Sequence, residues 1–364
     1  MKAVILVGGE GTRLRPLTCN TPKSMVPILN RPFLEHIIDC LKGHAIDDII
    51  LALCYLPDNI QRYFGDGTKF GIKLTYVVED SPLGTAGAVK NVTQRLDDTF
   101  FVFNGDIFTD LDLTAMLEFH RARGSKVSIA LTPVEDPTIY GLVETNAEGR
   151  VERFIEKPSQ DAVTTNMINA GTYIMEHETL SHAPEGLHFT FEQELFPLLL
   201  ERGDPVYGYS SDAYWIDIGT PERYLKLHHD LLTGKVAKSF PGEQAGEGIW
   251  VEEGCDIHSE AELNGPTLIG RNCIIGSGAR VKGPSVIGQD CRIGAGSLIE
   301  EAIVWQNTRL GHGVSLKGCV IAENVLLGDR SRVMEGCVLG DNVTVGCDKR
   351  LAQGTKIWPE ENPS

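Results

Sequence analysis

At 364 residues, with 42% hydrophobic and 23% charged residues, the chain is long enough for more than one hydrophobic core, and two domains are expected. A formal net charge of −17 at pH 7 excludes a general nucleic-acid binder, because a polyanion is repelled wherever positive charge does not cluster. No apolar run approaches the roughly 20 residues of a membrane span, and the apolar opening passes into glycines rather than a cleavage site. The expected compartment is the cytoplasm, with no membrane partner.

Ala3-Val4-Ile5-Leu6-Val7 reads as a buried parallel strand, and it runs into Gly8-Gly9-Glu10-Gly11-Thr12-Arg13-Leu14-Arg15. Glycines at the carboxyl end of such a strand let backbone N–H groups approach a phosphate, and Arg13, Arg15 and Lys23 add positive charge opposed only by Glu10. Leu14 stands where a dinucleotide fingerprint needs glycine, and the Gly-Lys-Ser/Thr of a Walker loop is absent. Phe33, Leu34, Ile37, Ile38 and Leu41 share one helical face; on that helix His36 and Cys40 read as core rather than as metal ligands. Asp48–Leu53 and Ile72–Val78 read as further strands, so β and α segments alternate and a doubly wound α/β sheet is expected.

Glu79 ends the third strand just before a second glycine loop, Leu83-Gly84-Thr85-Ala86-Gly87, whose small residues could let a flat base approach the backbone. The fourth strand, Phe100–Phe103, runs into Asn104-Gly105-Asp106, which places a carboxylate at the strand's carboxyl edge, where a Mg²⁺ ligand belongs. The stretch from Lys126 to Tyr173 is strand-rich, a helix is expected over Phe191–Arg202, and Pro221 starts a closing helix to Leu232. Residues 234–249 read as a linker. Beyond it, aliphatic residues recur every sixth position from Val251 to Ile299 and, after a slip, to Val345, the repeat of a left-handed parallel β-helix with about six coils. Cys255, Cys273 and Cys291 recur once per coil, as do Cys319 and Cys337, and read as ladders of reduced, buried thiols.

The run Gly8 to Thr18, followed by Pro22-Lys23, resembles the signature of the sugar-nucleotide pyrophosphorylases, which join a nucleoside triphosphate to a sugar 1-phosphate. Glu156-Lys157-Pro158, Asn169-Ala170-Gly171 and Asp217 match later motifs of that family. The resemblance implies a Rossmann-like nucleotidyltransferase domain over 1–233 and a β-helix domain over 250–364. It implies a nucleotide pocket of Val7, Gly8, Gly9, Gly11, Thr12, Glu79, Gly84, Thr85 and Ala86, and a sugar-phosphate site of Gly141, Glu156, Lys157 and Asn169. Mg²⁺ would lie on Asp106 and Asp217, with Arg13, Lys23 and Lys157 as catalytic cations. The nucleophile, a phosphate monoester, is largely dianionic at neutral pH, so no general base is needed and catalysis is mainly positioning and charge neutralisation.

Glu79 offers two acceptors that match the adjacent N–H donors of guanine, whereas the uridylyl- and thymidylyl-transferring members usually carry glutamine in this region. GTP is therefore the expected triphosphate, and the resemblance, carried by the Gly-Gly opening, the Leu-Gly-Thr-Ala-Gly loop and the β-helix appendage together, implies mannose 1-phosphate as its partner. Other readings are dTTP or UTP with glucose 1-phosphate, a bifunctional enzyme with acyltransferase activity in the β-helix, against which His258 and His312, the only histidines of the repeats, sit in no long inserted loop, and a non-catalytic regulatory subunit. The β-helix is expected to assemble a homo-oligomer.

Overall fold

The computed structural model describes residues 1–361. By backbone proximity the chain divides into two compact units, Met1–Gly9 with Leu34–Asp217, and Glu10–Phe33 with the chain from Ile218 onward.

The first unit is built on a nine-stranded sheet. Its parallel half holds Thr99–Asn104, Lys2–Val7, Asp48–Leu53 and Lys73–Val78 side by side. Ala3, Val4 and Ile5 are fully buried, as are Ile49 and Leu51, because helices cover both faces and leave no polar side to alternate with. In register, Leu6 pairs with Asn104, Val7 with Leu53 and Leu53 with Val78, so the strands end together on one edge. The loops opening at Gly8, Glu79 and Gly105 therefore all leave from that edge, where α/β sheets bind ligands.

The other half is mostly antiparallel. Met167–Glu176 runs against both Thr99–Asn104 and Val127–Pro133, Val206–Ser210 pairs parallel with Val127–Pro133, and the hairpin Gly141–Thr145 with Val151–Glu156 closes the edge. The helix expected over Phe191–Arg202 opens instead with a π-turn, Phe191–Leu195, before the α-helix Phe196–Glu201. Leu195 and Phe196 donate to Thr190 and Phe191, five residues back. Pro197 has no N–H to give and its ring crowds the carbonyl four residues earlier, so the wider turn relieves it.

In the second unit the helix Pro221–Leu232 begins with the Thr220 side chain capping the Arg223 amide, and buries Tyr224, Leu227, His228 and Leu231. Within the stretch expected as a linker, Glu243–Gly246 is a strand, paired antiparallel with Ile249–Val251. The hexads then coil into three parallel sheets. The sixfold series continues to Leu351 and Ile357, and its slip falls at two corners. Ile287 pairs with Val304 and Val304 with Ile321, each one residue closer in sequence than the usual 18 that separate Ile269 from Ile287. Cys273, Cys291, Cys319 and Cys337 are fully buried, while Cys255, on the first coil, is half-buried because no coil covers it. All nine cysteines are free thiols. Among the described residues no helix is long and apolar enough to cross a membrane.

Candidate functional site

Asp106 and Asp217 are brought together by a two-stranded ladder. Gly105 donates to the Leu6 carbonyl at 2.9 Å, and a Cβ on it would come 2.5 Å from Val7 Cγ1, so only glycine lets the chain turn there against the first strand. Ile107–Thr109 then pairs antiparallel with Trp215–Asp217, with Asp217 directly opposite Ile107. Facing residues in such a ladder have Cα atoms about 4.5–5.5 Å apart, so the two aspartates stand one residue out of step at one corner. Asp217 is buried and Asp106 half-buried. Trp215 anchors this ladder by donating its indole N–H to the Ala170 carbonyl at 2.9 Å.

An oxygen-only pair of carboxylates fits a hard divalent cation that keeps waters and substrate phosphates as its remaining ligands. No group of three or more His, Cys, Asp or Glu among the described residues could hold a metal by itself, so an ion on this pair would take its other ligands from solvent or substrate.

At the second glycine loop Glu79 is 9% exposed, and its Oε2 accepts from the Leu83 amide at 3.0 Å. Burial raises its pKa, and the Leu83 bond opposes that rise. The glycines here serve the chain's own packing: a Cβ on Gly84 would lie 2.7 Å from the Phe189 carbonyl, and one on Gly87 would lie 2.7 Å from that of Leu187. Thr85 Oγ1 donates to Glu192 at 3.0 Å and accepts from the Phe191 amide at 2.8 Å, and Ala86 is fully buried.

The expected sugar-phosphate residues surround the same polar cluster. Gly141 pairs with Glu156 across the hairpin, and a Cβ on it would meet Phe154 Cζ at 2.6 Å and Glu156 Oε2 at 3.0 Å. Lys157 is exposed, lies 3.7 Å from the Glu156 carboxylate, and adopts a left-handed backbone with φ 48°. That conformation is uncommon for a long side chain. Asn169-Ala170-Gly171 forms a break in strand register, with Gly171 at φ 71°. Asn169 accepts from the Gly171 amide at 3.0 Å and donates to Tyr173 Oη at 2.8 Å; Tyr173 donates to Glu192 at 3.4 Å.

Burial raises the pKa of Glu192, and the Glu156 carboxylate adds to it. Tyr173 and Glu192 join this cluster without any motif to announce them: the tyrosine sits in an apolar strand and the glutamate in the π-turn.

Val7, Gly8 and Gly9 lie in the first unit; Gly11, Thr12, Arg13 and Lys23 lie in the second. Gly11 is left-handed, and a Cβ there would stand 3.1 Å from both Lys23 Cβ and Thr18 Cγ2. Thr18 Oγ1 closes the turn on the Gly11 carbonyl at 2.8 Å. Arg13 is carried outward by the single turn Thr12–Leu14, whose Leu14 is fully buried, while Lys23 is 9% exposed. Arg15 is paired with Glu10 at 3.0 Å.

Residues 2–234 match the family described as Nucleotidyl transferase. The chain belongs to that family. Nucleotidyltransferases of this family generally use a divalent metal, the kind of ion the aspartate pair fits. Residues 246–351 match the EIF2B subunit epsilon LbH domain. A mannose-1-phosphate guanylyltransferase of Mycobacterium tuberculosis is 41% identical over 271 residues, 74% of this chain and 75% of its own. A UTP–glucose-1-phosphate uridylyltransferase of Synechocystis is 34% identical over 334 residues, 87% of this chain and 86% of its own. Among solved structures, HddC from Yersinia pseudotuberculosis complexed with GMP-PN is 33% identical with a TM-score of 0.54, covering 62% of this chain and 97% of that one.

Proposed function

We propose that this nucleotidyltransferase transfers GMP from GTP to mannose 1-phosphate, releasing pyrophosphate, with Mg²⁺ held by Asp106 and Asp217. A phosphate oxygen of the sugar attacks the α-phosphorus as the bond to the β-phosphate oxygen breaks. Mg²⁺, when bound, would neutralise charge on the phosphates. Arg13 and the amides of Gly8, Gly9, Gly11 and Thr12 gather the leaving phosphates, and Lys23 faces the transferring group. Lys157 meets the sugar phosphate while Glu156 and Asn169 hold sugar hydroxyls.

Glu79 keeps acceptor capacity beyond the Leu83 amide for the N–H donors of guanine. The observation that carries the reading is the pairing of Asp217 with Ile107, which brings two distant carboxylates to one corner. The domain limits of 1–233 and 250–364, a cytoplasmic location and a homo-oligomer formed through the β-helix belong to the same proposal.

The test is pyrophosphate release from GTP, ATP, UTP and dTTP, each with mannose 1-phosphate and glucose 1-phosphate. GTP with mannose 1-phosphate should give the highest kcat/KM. UTP with glucose 1-phosphate is the second reading, favoured by the long match to the Synechocystis enzyme, and its predominance would overturn the first.

A further inference from the structure

Within the second unit, a set of polar contacts fastens the Glu10–Phe33 segment to the β-helix and to the helix Pro221–Leu232. Asn20 Nδ2 donates to Asp341 Oδ2 at 3.2 Å, and the other Asp341 oxygen accepts from the Glu323 amide at 3.2 Å. Asn30 Nδ2 donates to the Ile287 carbonyl at 3.0 Å, where Gly270 leaves room: a Cβ there would stand 3.0 Å from that nitrogen. The Pro27 carbonyl accepts from Tyr224 Oη at 2.5 Å and from His228 Nε2 at 3.2 Å, and Tyr224 Oη in turn accepts from Trp305 Nε1 at 2.9 Å.

These groups are costly to bury. Tyr224, His228, Trp305 and Asp341 are between 0% and 6% exposed. Burial raises the pKa of Asp341, against the pull of the Glu323 amide and Asn20. The same β-helix face buries Leu268, Val286, Ile303, Val320 and Val338, so apolar contact alone would suffice for adhesion. What hydrogen bonds add to an apolar contact is register, because a shifted segment would leave buried donors and acceptors unpaired. The anchors bracket the cation: Asn20 precedes Lys23 by three residues and Pro27 follows it by four, while Thr18 ties back to Gly11.

We propose that Asp341, Trp305 and Tyr224 are positioning residues for the nucleotide, through which the β-helix sets the register of the segment carrying Arg13 and Lys23. The inference rests on the proposed function for the roles of those two cations. It gives the β-helix a part in the reaction apart from assembly.

The test is a charge exchange. Asn20→Asp sets two carboxylates face to face, and adding Asp341→Asn restores a donor opposite an acceptor. Asn20→Asp should raise KM for the triphosphate about tenfold, the size of one lost charged hydrogen bond, while KM for the sugar phosphate stays within about twofold. The double variant should return to within about twofold of wild type, and Tyr224→Phe should act like Asn20→Asp. Amide hydrogen exchange over residues 11–25 should quicken in both single variants and recover in the double one.

Unchanged exchange in Asn20→Asp, absence of rescue by Asp341→Asn, or equal rises in both KM values would each overturn the proposal. Exchange is read without turnover, so a wild type inactive with every triphosphate would refute the functional reading, whereas unchanged exchange would refute the anchoring.

Discussion

Replacing Gly171 by alanine tests whether the break in the Met167–Glu176 strand exists to aim Asn169. Gly171 has φ 71°, and a Cβ on it would stand 2.8 Å from Asn104 Nδ2 and 3.1 Å from Asn104 Cβ, so the added methyl has no free space. Alanine in the left-handed region costs about 1–2 kcal/mol and overpacking adds about 1–3 kcal/mol, in total about 2–5 kcal/mol. For a unit of this size that is a fall in Tm of roughly 4–20 °C. The Gly171 amide also holds Asn169 Oδ1 at 3.0 Å, so relaxation of the strain should release that side chain and raise KM for the sugar phosphate about tenfold.

Gly203 is the control, because it has φ 74° with no heavy atom within 4 Å of an added Cβ. Gly203→Ala should therefore show only the backbone cost, about 1–2 kcal/mol or roughly 2–8 °C, with unchanged kinetics. Thermal unfolding and steady-state kinetics of both variants decide the matter. Equal losses of Tm, with KM for the sugar phosphate unaltered in both, would refute the reasoning.

Asp106→Asn and Lys157→Ala should each lower kcat by about a thousandfold or more while leaving far-ultraviolet circular dichroism intact; near-normal turnover in either would remove that residue from the mechanism. His120 is 1% exposed, bonded to Ser128 at 2.8 Å and Glu176 at 3.0 Å, and burial lowers its pKa despite the Glu176 carboxylate. Below about pH 6.5 the unfolded chain therefore takes up a proton that the folded one refuses, and stability should fall as pH drops below that value. Unfolding midpoints measured from pH 7.5 to 5.5 should decline less steeply for His120→Gln than for wild type. With a thiol reagent, exposed Cys347 should react first, and Cys273, Cys291, Cys319 and Cys337 only on unfolding; early labelling of those four would contradict their burial.

The parallel strands were legible because burial on both faces demands unbroken apolar runs, and the phosphate loop because its glycines and cations are contiguous. The β-helix was legible because every hexad repeats one inward position. Its slip hid Val304: one residue is missing at each of two corners, and a strict period of six steps past it.

What escaped lies in single contacts between residues far apart. Three-residue strands such as Ile107–Thr109 and Trp215–Asp217 carry no measurable period, so their pairing could not be read. Glu192 sat inside an expected helix, and only the strain at Pro197 widened the turn that presents it to Tyr173 and Thr85. Nor does any pattern assign Glu10–Phe33 to the β-helix unit, since Asn20 and Asp341, the polar pair that fastens it, are 321 residues apart.

A crystal structure of the chain with GTP and Mg²⁺ measures the central claim directly. One divalent ion should bridge the Asp106 and Asp217 carboxylates and the α-phosphate, with the outer phosphates on the Gly8–Arg13 amides. A nucleotide bound elsewhere, or an ion that touches neither aspartate, would contradict it.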